Sequence, residues 1–190
     1  MKRKVLITGG NSGIGYATAS LFKDRGYQVT ISGRDSDKLS QAAAELGVEW
    51  VVADMARLDD LKMLATRFNE SGIDVLVNNA GASFLCPVED MTPNGWDTII
   101  NINLKGTFLC CRAVGRVMIQ QKGGRIINIA STAGIKGSPG MAHYGAAKAA
   151  IINFTQSLGK EWAQHNINVN CIAPGLIETE GVKAQMHLTH

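Results

Sequence analysis

Short apolar runs bounded by turn residues alternate along the chain with longer stretches in which apolar residues recur every three or four positions. The run KVLIT at 4–8 is uninterrupted and ends at glycines, as a strand covered on both faces does. QVTIS at 28–32, EWVVAD at 49–54, the start of DVLVNNAG at 74–81, GRIINIAS at 124–131 and INVNCIAPG at 167–175 repeat the type. Between them lie helical patterns. IGYATASLFKDRG at 14–26 puts Ile14, Ala17, Leu21 and Phe22 near one face and stops at Gly26. DSDKLSQAAAELG at 35–47 has Ser36 as its N-cap and Gly47 as its stop. A third helix covers about 58–70, and 95–121 reads as one or two more. The last, 143–164, carries one apolar stripe of Ala147, Ile151, Phe154, Leu158 and Trp162. Six strands, each preceded or followed by a helix, predict an α/β fold: a doubly wound, mostly parallel sheet in three layers. No repeat or low-complexity linker divides it, so residues 1–190 are expected to form a single domain.

Composition narrows the classes. Apolar residues make up 45% and charged residues 18% of the 190, an ordinary globular balance with enough chain for one core. Net charge is +3, and the only tight basic cluster is Lys2-Arg3-Lys4, which argues against nucleic acid or a membrane surface as partner. Cys86, Cys110, Cys111 and Cys171 form no CxxC pair and read as free thiols in a reducing compartment. His143, His165, His187 and His190 lack ligand spacing, so no metal is expected. No apolar run is long enough for a bilayer, and the N-terminus passes from basic residues straight into VLITGG without a signal peptide. The expected location is cytoplasmic.

Three local patterns carry chemistry. TGGNSGIG at 8–15 lies where a strand turns into a helix, with glycines at Gly9, Gly13 and Gly15 rather than in the GxGxxG spacing. Residues without Cβ let a pyrophosphate approach the backbone, and the helix start offers it unpaired N–H groups. A tight turn with no ligand is the other reading. At the end of the second strand, ISGRD has Ser32 and Gly33 where an NAD-selective unit needs an acid. Arg34 follows, and a guanidinium pairs with a ribose 2′-phosphate, which favours NADP over NAD. Against this, Asp35 could neutralise a solvated Arg34. In HYGAAK at 143–148, Tyr144 and Lys148 lie four apart on one helical face. Either the phenol packs while the lysine snorkels, or the ammonium lowers the phenol's pKa for proton transfer. The absence of GxxxxGK after the first strand excludes a P-loop phosphoryl-transfer enzyme.

With TGGNSGIG, NNAG at 78–81, YGAAK at 144–148 and PG at 174–175 in this order, the chain resembles the short-chain dehydrogenase/reductase family from Lys4 to about Thr179. The resemblance implies a Rossmann-type fold and an NADP(H)-dependent oxidoreductase that interconverts a carbonyl and a secondary alcohol. A 3-oxoacyl-carrier-protein reductase or another ketone reductase fits it, acting on a small-molecule carbonyl or alcohol substrate, as a homodimer or homotetramer. By the same resemblance Tyr144 is the acid/base, Lys148 tunes it and holds the nicotinamide ribose, and both count among the cofactor-binding residues. Ser131, thirteen positions before Tyr144, binds the substrate carbonyl. Asn103 holds a water beside the lysine; it is favoured over Asn101 because it lies three before Gly106. The cofactor cradle takes Gly9, Asn11, Ser12, Gly13, Ile14 and Gly15, with Arg34, then Asp54 and Met55 at the adenine. Asn79, Ala80 and Gly81 line its middle, and Pro174, Gly175, Ile177 and Thr179 its nicotinamide end. The family continues past PG into a lid, a helix and a seventh strand, whereas the given sequence ends at His190. A missing pocket wall and an unpaired edge at 167–172 are therefore expected. A catalytically silent dinucleotide-binding or interaction protein is the alternative.

Overall fold

A computed structural model describes residues 2–179 and Val182. Six strands, β1 (Lys4–Thr8), β2 (Gln28–Gly33), β3 (Glu49–Val52), β4 (Val75–Asn78), β5 (Gly124–Ile129) and β6 (Ile167–Ile172), form one sheet. Its order is β3-β2-β1-β4-β5-β6, and every pairing is parallel. Helices α1 (Gly13–Asp24), α2 (Ser36–Leu46), α3 (Leu58–Ser71), α4 (Pro93–Ile100), α5 (Gly106–Gln120), α6 (Ala133–Lys136) and α7 (Ala142–Trp162) connect them. The winding reverses between β1 and β4, where Val5 pairs with Val75. A crevice opens beyond the carboxyl ends of strands at such a reversal.

The continuous apolar character of β1 has its cause in two cores. Leu6, Leu76 and Ile126 face α3, α5 and the end of α7 around Leu64, Val114 and Trp162. Val5, Ile7, Val29 and Ile31 face α1 and α2 around Ala19, Leu39 and Ala43. Gly115 on α5 is needed for close packing, since a Cβ there would overlap the Trp162 ring. Of the stripe predicted on α7, Ala147, Ile151, Leu158 and Trp162 are buried and Phe154 is partly so.

Several local expectations change. In α1, Ala17 and Leu21 face solvent, and Gly15 and Ala19 are the buried positions. The helix sits so close to the sheet that small residues, not branched ones, make its inner face. The cap of α2 is Asp35 rather than Ser36: its carboxylate accepts from Lys38 N at 3.1 Å. Gly47 stops that helix in the left-handed region at φ +59°, as expected. The stretch 95–121 is a single rod in which a π-helical segment, Asn101–Lys105, joins α4 to α5. Among the described residues β3 and β6 are the sheet's edges, and β6 alternates buried or half-buried positions with exposed ones, with Ile172 open to solvent.

Candidate active site

The turn after β1 is built from glycines that nothing else could replace. Gly9 and Gly13 lie at φ +65° and +53°, where side chains are strained. A Cβ on Gly15 would overlap Gly9 O and sit 2.5 Å from Asn79 Nδ2. The turn is fastened from β4: Asn79 Nδ2 donates to Thr8 O and Gly9 O, both at 3.1 Å. Thr8 Oγ1 in turn accepts from Asn79 N and Ala80 N, both at 3.0 Å. NNAG thus serves the glycine turn from a neighbouring strand, and Thr8 is a supporting residue that sequence reasoning passed over.

These groups edge a cavity of about 920 Å3 that runs along the carboxyl end of the sheet. Gly9, Asn11, Ser12, Gly13 and Ile14 line one end, and Arg34, Asp54 and Met55 lie at the tips beyond β2 and β3. Gly15 is behind the turn rather than on the wall, since it packs against Gly9. Asn79, Ala80 and Gly81 line the middle. Pro174, Gly175, Ile177 and Thr179 close it from the other side. Thr132 N donates to Pro174 O at 2.9 Å, and the Thr179 methyl comes within 3.3 Å of where a Gly13 Cβ would be. Asp35 does not neutralise Arg34, because its carboxylate caps α2 and pairs with Lys38 at 3.9 Å. Among the described residues Arg34 has no ion pair, and the neighbouring Ser32 hydroxyl is buried without a partner. The bare glycine turn leaves room for the pyrophosphate of a bound dinucleotide.

At the far end of the cavity Ser131, just beyond β5, meets Tyr144 and Lys148 on α7. Lys148 Nζ lies 5.4 Å from the centre of the Tyr144 ring and donates to Ile129 O at 2.9 Å. Burial pulls the Lys148 ammonium down to about 8, partly countered by the Cys171 thiol. Burial also holds the Tyr144 phenol above its ordinary 10, and a hydrogen bond from the Ser131 hydroxyl works the other way. The expected lowering of the phenol by the lysine does not emerge: loss of hydration raises the phenol, and the Ser131 hydrogen bond is what opposes it.

Asn103 sits in the π-helical segment, fully buried, while Asn101 is exposed. Its Nδ2 donates to Ala82 O at 2.8 Å and Ile99 O at 3.0 Å, and its Oδ1 has no partner. A Cβ on Gly81 would lie 2.7 Å from that Oδ1 and 3.5 Å from Lys148 Nζ, so both atoms border one small space. An unpaired buried acceptor beside an ammonium is a place for a water. π-Helical segments recur at functional sites because the extra residue re-aims a side chain.

A family model for short chain dehydrogenases matches residues 3–187. The chain belongs to that family. As a short-chain dehydrogenase it is an oxidoreductase. It is 38% identical to a 3-oxoacyl-acyl-carrier-protein reductase of Chlamydia trachomatis, over 97% of this chain and 77% of that protein. A probable 2,4-dienoyl-CoA reductase of Bacillus subtilis is 39% identical, over 95% of this chain and 74% of the other. The structure of an actinorhodin polyketide ketoreductase with NADPH superposes with TM-score 0.94 at 31% identity, over 99% of this chain and 76% of that one. The dehydrogenase thus spans about three quarters of the length of these relatives.

Other buried groups near the site carried no readable signal. Asn78 Nδ2 donates to Asn128 Oδ1 and Asn128 Nδ2 to Thr155 Oγ1, both at 2.9 Å, tying β4, β5 and α7 together. His143, one residue before Tyr144, is buried with both ring nitrogens unpaired, 4.4 Å from the Phe84 ring, and burial lowers its pKa. Cys111 is pushed up to about 12 by burial, so this thiol is no nucleophile.

Proposed function

We propose that this dehydrogenase is an NADPH-dependent reductase that interconverts a ketone and a secondary alcohol. The observation that carries it is the meeting of Ser131, Tyr144 and Lys148 at one end of a cavity whose other end is the glycine turn. The cofactor, when bound, supplies the hydride. Gly9, Asn11, Ser12, Gly13 and Ile14 receive its pyrophosphate at the start of α1, Gly15 lets the turn close, and Arg34 takes the 2′-phosphate. Asp54 and Met55 border the adenine, Asn79, Ala80 and Gly81 the ribose, and Pro174, Gly175, Ile177 and Thr179 the nicotinamide.

Ser131 donates a hydrogen bond to the substrate carbonyl oxygen and to the oxyanion that develops there. Tyr144 gives that oxygen its proton. A phenol held above its ordinary 10 is protonated at neutral pH, the form that reduction requires. Lys148, at about 8, is mostly cationic there and stabilises the phenolate left behind. A water held by Asn103 Oδ1 resupplies the proton. The names of the relatives favour an acyl thioester or a similar ketone as substrate. A single catalytic domain, a homodimer or homotetramer, and a cytoplasmic setting complete the reading.

The test is NADPH oxidation with a panel of ketones, together with titration of NADPH and NADH into the protein and into Arg34→Ala. Turnover, with an NADPH preference that Arg34→Ala reduces by tenfold or more, is expected for loss of a charge-assisted bidentate pair. NADPH binding with no turnover favours a silent binding protein, and an unaltered preference refutes the role of Arg34.

A further inference from the structure

Among the described residues four charged side chains line the cavity: Arg34, Asp54, Lys148 and Lys136. The first two lie beyond β2 and β3, and Lys148 is buried against Ile129 O. Lys136 is left over. It is exposed, and among the described residues it has no carboxylate partner. It ends α6, which begins two residues after Ser131. That short helix is held to the site at several points. Ala133 N donates to Ser131 Oγ at 3.2 Å and Lys136 N to Thr132 O at 2.9 Å. Gly134 lies so tightly on α7 that a Cβ would come 2.7 Å from Lys148 C and 3.0 Å from Lys148 Cβ. The ammonium of Lys136 thus swings from a base fixed relative to Ser131 and Lys148, one helical turn past the serine.

The sheet order separates it from the cofactor's phosphate end. β2 and β5 are three strand spacings apart, about 14 Å. The same cavity is also lined by open apolar side chains: Leu85 is 57% exposed, Leu176 76% and Ile177 45%, with Met141 among the lining. An apolar wall with one unpaired cation a turn from the reacting serine suits a ketone with a hydrocarbon body and a negative group.

We propose that Lys136 is a specificity-determining residue that selects carbonyl substrates bearing an anionic group, such as a carboxylate, close to the ketone. This rests on the reductase reading above, and the experiment separates the two. Calorimetry on the NADPH-loaded protein compares 4-oxopentanoate with its methyl ester, and NADPH oxidation is followed for both. The wild type binds the acid about 2- to 5-fold more tightly than the ester at low salt, the range of an exposed ion pair, and the gap closes at high salt. Lys136→Arg keeps the preference, and Lys136→Glu reverses it with NADPH affinity unchanged. An acid-to-ester ratio in Lys136→Glu equal to the wild type's overturns the proposal. So does a loss of NADPH affinity in that variant, which would assign the lysine to the cofactor. Binding with this charge preference but no turnover of either compound or of any ketone in the panel sinks the reductase reading and leaves the role of Lys136 standing.

Discussion

Replacing Thr8 with valine keeps the shape of a side chain that is 1% exposed and deletes one hydroxyl. That hydroxyl accepts from Asn79 N and Ala80 N, both at 3.0 Å. The two donors lose unequally. Asn79 N keeps a second acceptor, Val77 O at 3.1 Å, whereas Ala80 N has only the threonine. One backbone donor is orphaned, which costs about 2 kcal/mol, within a general range of about 1–3 kcal/mol. This is a roughly 30-fold change in the unfolding constant. In urea, with a slope of about 2–3 kcal/mol per molar, the midpoint of Thr8→Val falls by about 1 M, and Thr8→Ser stays near the wild type. NADPH affinity falls too, because the same hydroxyl aligns the strand that clasps Gly9. A Thr8→Val midpoint within 0.3 M of wild type, about one third of the predicted shift, would refute the reasoning that this hydroxyl fastens the turn.

Three more outcomes follow from the same geometry. Lys148 titrates near 8 when folded against an ordinary 10.5, so between those values the unfolded chain binds more protons and stability rises with pH. The gain is at most about 3 kcal/mol, it is lost again as pH falls through 8, and a Lys148→Met variant whose stability rises just as steeply from pH 8 to 10 would contradict it. Tyr144 acts in the opposite sense, since its raised phenol pKa lets stability fall once pH passes 10. Gly115→Ala drives a methyl into the Trp162 ring and should cost about 1–3 kcal/mol in thermal or urea unfolding; a neutral result would mean that α5 and α7 pack less tightly than described.

The parallel strands were legible because burial on both faces writes a continuous apolar run, and β1 is buried from Val5 through Thr8. The glycine turn was legible because only glycine tolerates its dihedrals. The inner face of α1 was not, since a helix seated on Gly15 and Ala19 hides its contact behind residues that read as neutral. Asp35 and Ser36 are both good caps, and one residue of offset lies below what a propensity argument resolves. Helix α6 is four residues long, too short for any periodicity to register. The spacing of Tyr144 and Lys148 placed two groups on one face correctly. It could not tell how much water each keeps, and that decides the direction of both pKa shifts. Asn103 was singled out by resemblance alone, and its burial depends on a π-helical segment that no pattern in NINLKG announces.

The most direct measurement is NADPH oxidation with an accepted ketone by Tyr144→Phe, set beside NADPH binding to the same variant. Removal of the proton donor should slow turnover by 100-fold or more, the scale of general acid catalysis, with cofactor affinity unchanged. Turnover equal to the wild type's would contradict the assignment of Tyr144 as the group that protonates the substrate.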